Sequence, residues 1–426
     1  MRNSRMVKLA SITAVAGLVA AVLATAGGAA GAGEAKRGNV NQTLEIGQLT
    51  AQTGQLSNLV PSLTVPVTMA VDEINAAGGV LGKPAVYTVA DDATDPAVAS
   101  ESLEALLEDA KVDVIIGPSS SGTAINLLEE VRRRQALVCS GSNFSAELST
   151  ADSGGFYFRT TPSDRLQGPA LAQLVLDDDR KKVGILARRD AYGVDLSSSV
   201  KKALAKGKAK VVADVAYNPD ARNFDRAVQR VIDKKPDAIV VLGFDSDGSD
   251  IVRTLIANGV SPQQFPIYAA DGIRTNAFPG LVDPNNPGVV AGIKGTSPAV
   301  APAGAQSPFL EAFNATGVDP VYSAFYYDCT ILAALAAEKA KSDDPAKMKE
   351  AFAANTKGKN ECTTYAQCKQ LLDEGKTIHY QGASATFRNM NKFGEFEPNA
   401  GVYDIWSYDA AGQDISGPPE AQIRVG

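Results

Sequence analysis

Residues 112–133 read VDVIIGPSSSGTAINLLEEVRR, and this stretch decides the fold. Its first five residues are mostly β-branched and apolar, which predicts a buried strand over 112–116. A loop of glycine, proline and three serines follows, and helically spaced apolar residues then predict a helix over 123–133. A buried strand, a short loop and an amphipathic helix form the repeating unit of an α/β fold.

The same alternation extends along the chain and predicts two α/β lobes. The expected strands are 43–49, 85–90, 112–116, 136–139, 182–186, 210–215, 238–242 and 266–269. The expected helices are 56–77, 96–109, 123–133, 166–176, 194–205, 224–233 and 249–258. Strands that alternate with helices indicate a parallel sheet covered on both faces, and the alternation restarts after residue 162. The last third is more helical (307–314, 322–341 and 345–354), with hairpin-like strands expected at 385–388 and 401–408.

Polar and aromatic residues follow five of these strands. They include Ser119, Ser121, Ser142, Asn143, Phe144, Tyr192, Phe244 and Asp271. Ligands of open α/β sheets bind at the carboxyl ends of the strands. Hydroxyl and backbone donors suit a carboxylate, Asp271 suits an ammonium group, and the aromatic rings suit a side chain. The serines taken alone are equally typical of a plain helix N-cap, and only the joint pattern favours a site for a zwitterion.

Composition and isolated motifs argue against several other functions. The chain has 41 Lys and Arg against 48 Asp and Glu, a net charge of −7, and no long basic block, so nucleic-acid binding is not expected. The single histidine, His379, leaves little material for a catalytic triad or a metal centre. The glycines at 78–82 lack the order of a dinucleotide-binding loop. We therefore expect no enzyme activity, no cofactor and no metal.

The N-terminus has the pattern of a secretory signal peptide. Arg2, Arg5 and Lys8 precede an apolar run over 9–26, and small residues follow. Cleavage is expected after Ala32, with Ala26 as the alternative site and a retained membrane anchor as the alternative interpretation. No cysteine follows this region, so lipid anchoring is not expected and the mature protein is expected to be exported.

Export permits disulfides among the four cysteines. Cys362 and Cys368 lie close together in a polar segment and are expected to pair. Cys139 and Cys329 lie in an apolar strand and an alanine-rich helix, and they are expected to be buried thiols rather than a long-range bridge.

Residues 70–84, AVDEINAAGGVLGKP, resemble the leucine/isoleucine/valine-binding family of periplasmic-type receptors. Further similar pieces are Asp91-Asp92, Asp95-Pro96, the serine loop at 119–121, Phe158 to Thr161, Asp164, Tyr192-Gly193, Phe224, Tyr327-Asp328 and Phe387 to Gly394. The resemblance implies two doubly wound, Rossmann-like lobes joined by a three-strand hinge near Pro162, Pro298 and Gly401. The first lobe would comprise 42–162 and 298–400, and the second 163–297 and 401–426.

The resemblance also implies a function and a site. The protein would be a monomeric solute-binding component of an ABC importer, with a membrane permease as its partner. The positions that match the family's ligand-binding residues are Leu59, Ser119, Ser121, Ser142, Asn143, Phe144, Tyr192, Phe244, Asp271 and Tyr322. Ser121 would bind the ligand carboxylate and Asp271 its ammonium group.

Three features depart from the family pattern. Phe144 stands where a small residue or threonine is common, Asp271 is shorter than the glutamate of some members, and residues 357–382 form a longer segment. These departures leave open whether leucine is the ligand. The alternative is a receptor on the same fold for an amide, a urea or an aromatic acid.

Overall fold

The structure is a computed structural model that describes residues 40–300, 307–385, 387, 390–396, 399–416 and 422–426. These residues belong to one compact unit. The predicted signal peptide and residues 386 and 388 of the predicted strand at 385–388 lie outside the described residues. Ala385 and Phe387, which flank residue 386, are not in a strand.

The described chain alternates strands and helices over most of its length. The strands are β1 (Glu45–Thr50), β2 (Val86–Asp91), β3 (Val114–Ile116), β4 (Leu137–Ser140), β5 (Tyr157–Arg159), β6 (Lys182–Arg188), β7 (Lys210–Tyr217), β8 (Ala238–Leu242), β9 (Ile267–Ala269), β10 (Lys294–Pro298), β11 (Asn360–Cys362), β12 (Ile378–Tyr380), β13 (Gly401–Tyr408), β14 (Asp414–Ser416) and β15 (Ile423–Val425). The helices are α1 (Val60–Ala76), α2 (Pro96–Glu108), α3 (Ser121–Arg134), α4 (Asp164–Asp177), α5 (Ala191–Lys206), α6 (Asp225–Ile232), α7 (Asp245–Ala257), α8 (Phe278–Val282), α9 (Pro308–Asn314), α10 (Ser323–Ala340), α11 (Pro345–Ala354) and α12 (Tyr365–Asp373).

Two large sheets define two lobes, and the α/β fold prediction is confirmed. The first sheet has the order β2-β1-β3-β4-β5, with every pair parallel. The second has the order β14-β13-β10-β9-β8-β6-β7, and β15 pairs with β13. Its strands from β10 to β7 are parallel, while β13 runs antiparallel to β10. We call the lobes built on these sheets the first and the second lobe.

The chain passes between the two lobes three times. It leaves the first sheet after β5, leaves the second sheet after β10, and returns to it at β13. Between the last two crossings, α10 packs on α1 and on β4, so this return segment completes the first lobe. The predicted hinge positions Pro162, Pro298 and Gly401 lie at or beside these crossings, and the lobe boundaries assigned to them stay a prediction.

Several short strands were absent from the sequence prediction. β5 has three residues, and β10 reads KGTSP, a polar sequence that ends in proline and has no strand pattern. The strand at 401–408 was predicted as part of a hairpin with 385–388. Its pairing was wrong, because β13 pairs with β10, β14 and β15 instead.

Both cysteine pairs form disulfides. Cys362 is joined to Cys368, six residues away. Cys139 is joined to Cys329 across 190 residues, with their Cα atoms 5.7 Å apart. The expectation of two buried thiols was therefore wrong. The packing of α10 on β4 brings the two residues together, and no local pattern in the sequence reports that contact.

Candidate functional site

The loops after the strands of both lobes converge on one cavity. Nine of the ten predicted ligand-binding residues line it: Leu59, Ser119, Ser121, Ser142, Phe144, Tyr192, Phe244, Asp271 and Tyr322. Each of them is at most 7 % exposed. The cavity holds about 20 Å³, roughly the room that one water molecule needs. A ligand of amino-acid size therefore requires the lobes to part or the lining side chains to turn.

In the first lobe, the Ser121 hydroxyl is the group best placed to donate a hydrogen bond to a carboxylate. Ser121 is the first residue of α3, and Ser120 caps that helix by accepting a hydrogen bond from the N–H of Thr123. Its hydroxyl oxygen accepts hydrogen bonds from the N–H groups of Phe144 (3.0 Å) and Ser145 (3.1 Å). The hydroxyl proton remains available for donation. Together with the positive end of the helix dipole, it suits a negatively charged group.

The other serines of this edge hold the loops together. Ser142 donates its hydroxyl to the carbonyl of Ser119 (2.7 Å) and contacts the Tyr326 hydroxyl (2.8 Å). The hydroxyl of Ser119 accepts a hydrogen bond from the N–H of Ala51 (2.9 Å). The backbone N–H of Ser119 donates a hydrogen bond to the Asp92 carboxylate (2.7 Å). Both serines line the cavity, but their bonds mainly fix its wall.

Asn143 does not line the cavity. Its side-chain amide donates to the carbonyl of Pro118 (3.0 Å) and accepts from the hydroxyl of Tyr157 (2.9 Å). The strand-exit position was correctly assigned to this edge, but the side chain points into the lobe. Sequence position gives the edge of a sheet, whereas the side-chain direction in a loop depends on the local backbone.

Each lobe contributes one aromatic pair. Phe144 and Tyr322 of the first lobe have ring centroids 5.3 Å apart, and Tyr192 and Phe244 of the second lobe are also 5.3 Å apart. The Arg188 guanidinium lies 3.5 Å over the Phe244 ring and holds it from behind. Four rings from two lobes therefore form the apolar walls of the cavity.

Asp271 joins the two aromatic pairs. It accepts hydrogen bonds from the hydroxyls of Tyr322 (2.6 Å) and Tyr192 (3.3 Å), and from the side-chain amide of Gln167. Burial raises the pKa of Asp271, and these hydrogen bonds act in the opposite direction. Tyr322 has a φ of 64°, a left-handed conformation that is uncommon for residues with a Cβ. This backbone turn aims its phenol at Asp271.

The lobes are closed on each other in this structure. The hydrogen bond between Tyr322 and Asp271 joins the two lobes. Gln55 of the first lobe makes two more hydrogen bonds to the second lobe, accepting one from Arg188 (2.6 Å) and donating one to Asp220 (2.7 Å). Asn58 donates to Asp245 at 3.0 Å. These contacts tie the loops after β1 to the second lobe and exist only while the lobes touch.

Sequence reasoning missed several residues of the site. Leu56, Leu63, Ser120 and Gly272 also line the cavity, and Gln167 holds Asp271 from behind. Leu56 and Leu63 flank Leu59 at helical spacing, so the helical period could have found them. Gln167 is three residues after Asp164 on α4, and no motif marks it.

A family model described as periplasmic binding protein matches residues 43–361. The chain belongs to this family. Proteins of the family are exported solute-binding proteins.

The chain is 25% identical over 372 residues to a chemotactic signal transduction system substrate-binding protein, BasB, of Halobacterium salinarum, covering 84% of this chain and 86% of the relative. It is 24% identical over 319 residues to the Leu/Ile/Val-binding protein of Escherichia coli K12, covering 74% and 84%. The resemblance predicted from the sequence is confirmed.

Solved structures show the same two-lobed fold. The branched-chain amino acid transporter substrate binding protein LivJ from Streptococcus pneumoniae, in complex with isoleucine, aligns with a TM-score of 0.72 at 22% identity, covering 90% of this chain and 99% of that one. A solute binding protein from R. palustris in complex with benzoate aligns with a TM-score of 0.71 at 19% identity, covering 89% and 97%. In the described part of the chain, no helix combines the length and apolar character needed to cross a membrane.

Proposed function

We propose that this chain is the extracytoplasmic solute-binding component of an ABC importer, which binds a small amino acid or amino-acid-like ligand between its lobes and delivers it to a membrane permease. One observation carries the proposal. A hydroxyl donor at a helix N-terminus, Ser121, and a buried acid, Asp271, face one cavity from opposite lobes. A zwitterion satisfies both ends at once, and its binding requires both lobes.

In this proposal each lobe has a separate task. Ser121 and the first N–H groups of α3 bind the carboxylate, and Asp271 binds the ammonium group. The four aromatic rings enclose the side chain and exclude water. Because the ligand contacts both lobes only when they meet, its binding energy favours the closed form.

A second candidate is a receptor for an aromatic acid on the same clamp. Two observations favour this candidate. Four aromatic rings line the cavity, and the Asp271 carboxylate already accepts hydrogen bonds from three groups of the protein. A ligand with a carboxylate and no ammonium group would leave those three bonds intact. A solute-binding protein of the same fold has been solved with benzoate.

A thermal-stability screen with one variant distinguishes the two. A ligand that binds only the folded clamp raises its melting temperature. An amino-acid receptor should show a higher melting temperature with leucine, valine, alanine or phenylalanine. Asp271→Asn should then weaken binding by about 10- to 100-fold, because a charge-assisted contact is lost. The matched control is Asp233→Asn on the exposed surface.

The aromatic-acid function predicts the opposite result. Benzoate or 4-hydroxybenzoate would raise the melting temperature, and Asp271→Asn would leave their affinity unchanged or increase it, because a buried negative charge near the ligand is removed. A chain that responds to none of these compounds would contradict both candidates.

A further inference from the structure

A second cavity lies where the chain crosses between the lobes. Its volume is about 420 Å³, within the range of small-molecule sites. All three crossings contribute to its wall, through Thr160 and Pro162, through Pro298 and Ala299, and through Gly401 and Val402. The ligand cavity described above shares none of these lining residues. We call this second space the hinge cavity.

The described side chains that line the hinge cavity are mainly apolar. Phe325, Phe387 and Phe396 line it, and the last two rings are 4.9 Å apart. Two polar side chains among the described residues of the wall, Thr160 and Ser384, already form hydrogen bonds within the protein. The Thr160 hydroxyl donates to the carbonyl of Phe325 (2.9 Å), and the Ser384 hydroxyl donates to Asp328 (2.5 Å). The described side chains of the hinge cavity therefore suit an apolar body.

Of the described residues that line the hinge cavity, one is charged. Arg424 on β15 lines the hinge cavity and is exposed, and its register partner on β13 is Val402, another lining residue. No acid among the residues that the structure describes forms an ion pair with Arg424. An exposed guanidinium beside mainly apolar side chains is complementary to a molecule with an apolar body and one anionic group.

The position of the hinge cavity couples it to closure. A change in the angle between the lobes must be absorbed by residues at the crossings, and those residues form its wall. In this structure the lobes are closed and the hinge cavity is open. A molecule that fits this shape stabilises the closed form.

We propose that the hinge cavity is a second binding site, for a small amphipathic anion whose negative group pairs with Arg424, and that its occupation favours closure of the lobes. The site itself is independent of the proposed function. The coupling between the hinge cavity and the ligand cavity rests on the proposed function.

The site is tested with the full chain and one probe, 8-anilinonaphthalene-1-sulfonate, which has apolar rings and a single negative group. We expect one saturable site per chain in a fluorescence titration, and displacement of the probe by octanoate. Arg424→Glu should lower probe affinity at least tenfold, whereas Arg226→Glu, on the exposed face of α6, should leave it unchanged. Val402→Trp, which fills the hinge cavity, should also abolish the single site. Thermal melts confirm that each variant is folded.

Equal probe affinity in the wild type, Arg424→Glu and Val402→Trp would overturn the site. So would binding of several equivalent probes per chain. If the site is present, leucine should raise probe affinity and the probe should raise leucine affinity by the same factor, because coupling between two sites is reciprocal. An unchanged probe affinity at saturating leucine would overturn the coupling. Probe binding without any amino-acid binding would contradict the proposed function and leave the hinge site standing.

Discussion

At the scale of single residues, Asp164 is the most unusual group near the ligand cavity. It is fully buried at the start of α4, and neither of its carboxylate oxygens accepts a hydrogen bond from the described residues. Burial and the nearby Asp271 charge raise its pKa well above the usual range, while Arg159 acts in the opposite direction. Other charged or phenolic groups in its surroundings are Asp190, Asp195, Tyr192, Tyr322 and Tyr403. A neutral, protonated Asp164 is the form that this environment favours.

This state predicts a pH dependence of stability. The folded chain holds a proton on Asp164 more tightly than the unfolded chain does, so the free energy of unfolding should fall as the pH rises above the ordinary value of about 4. Asp164→Asn removes this fall. At pH 8 the Asp164→Asn variant should be more stable than the wild type, and the difference in unfolding free energy should shrink toward pH 4. Urea unfolding at several pH values measures it.

The exposed Asp233→Asn provides the control, with a pH profile that should follow the wild type. Parallel profiles for Asp164→Asn and the wild type would show that folding does not raise the pKa of Asp164 and would contradict this prediction.

Ser121 makes a separate prediction at this scale. Ser121→Ala removes the proposed donor to the ligand carboxylate and the acceptor of two backbone N–H groups. Affinity for the ligand should fall by about 10- to 100-fold, the range of a charge-assisted hydrogen bond. Ser198→Ala, on α5 outside the ligand cavity, should bind like the wild type in the same calorimetric titration. Equal affinity of Ser121→Ala and wild type would remove Ser121 from the site.

At the scale of elements, the sequence predicted what depends on local pattern. β8 and β13 were predicted with their observed bounds, because apolar runs and alternation mark them. β10 was missed because its sequence KGTSP is buried by its neighbours and has no apolar period of its own. The Cys139–Cys329 bond was missed because it depends on the packing of α10 against β4. In the site, the edge of each sheet was predictable, whereas the inward side chain of Asn143 was not.

The two disulfides should differ in their contribution to stability. A bond that closes a longer loop restricts the unfolded chain more strongly, and the chain-entropy relation gives about 5 kcal/mol for a loop of 190 residues and about 2 kcal/mol for one of six. The Cys139→Ala/Cys329→Ala variant should therefore lose more stability than Cys362→Ala/Cys368→Ala. Chemical unfolding of both double variants under oxidising conditions compares them. A larger loss for the short loop would contradict this ranking.

At the scale of the whole molecule, the proposed function requires a clamp whose two lobes meet around a ligand. Gln55 makes two of the contacts between the lobes, to Arg188 and Asp220. Because these bonds form only in the closed state, Gln55→Ala should lower ligand affinity by about 3- to 30-fold and leave the melting temperature of the free protein nearly unchanged. Gln229→Ala, on the surface of α6, is the control. A loss of stability without a loss of affinity would indicate a role within one lobe.

The most direct test of the central claim is a calorimetric titration of the purified chain with leucine, isoleucine, valine, alanine and phenylalanine, alongside benzoate. We predict one site per chain for at least one amino acid, with a dissociation constant in the micromolar range or below, and a loss of the heat of binding in Asp271→Asn. The absence of heat with every amino acid, together with saturable binding of benzoate that Asp271→Asn leaves intact, would contradict it.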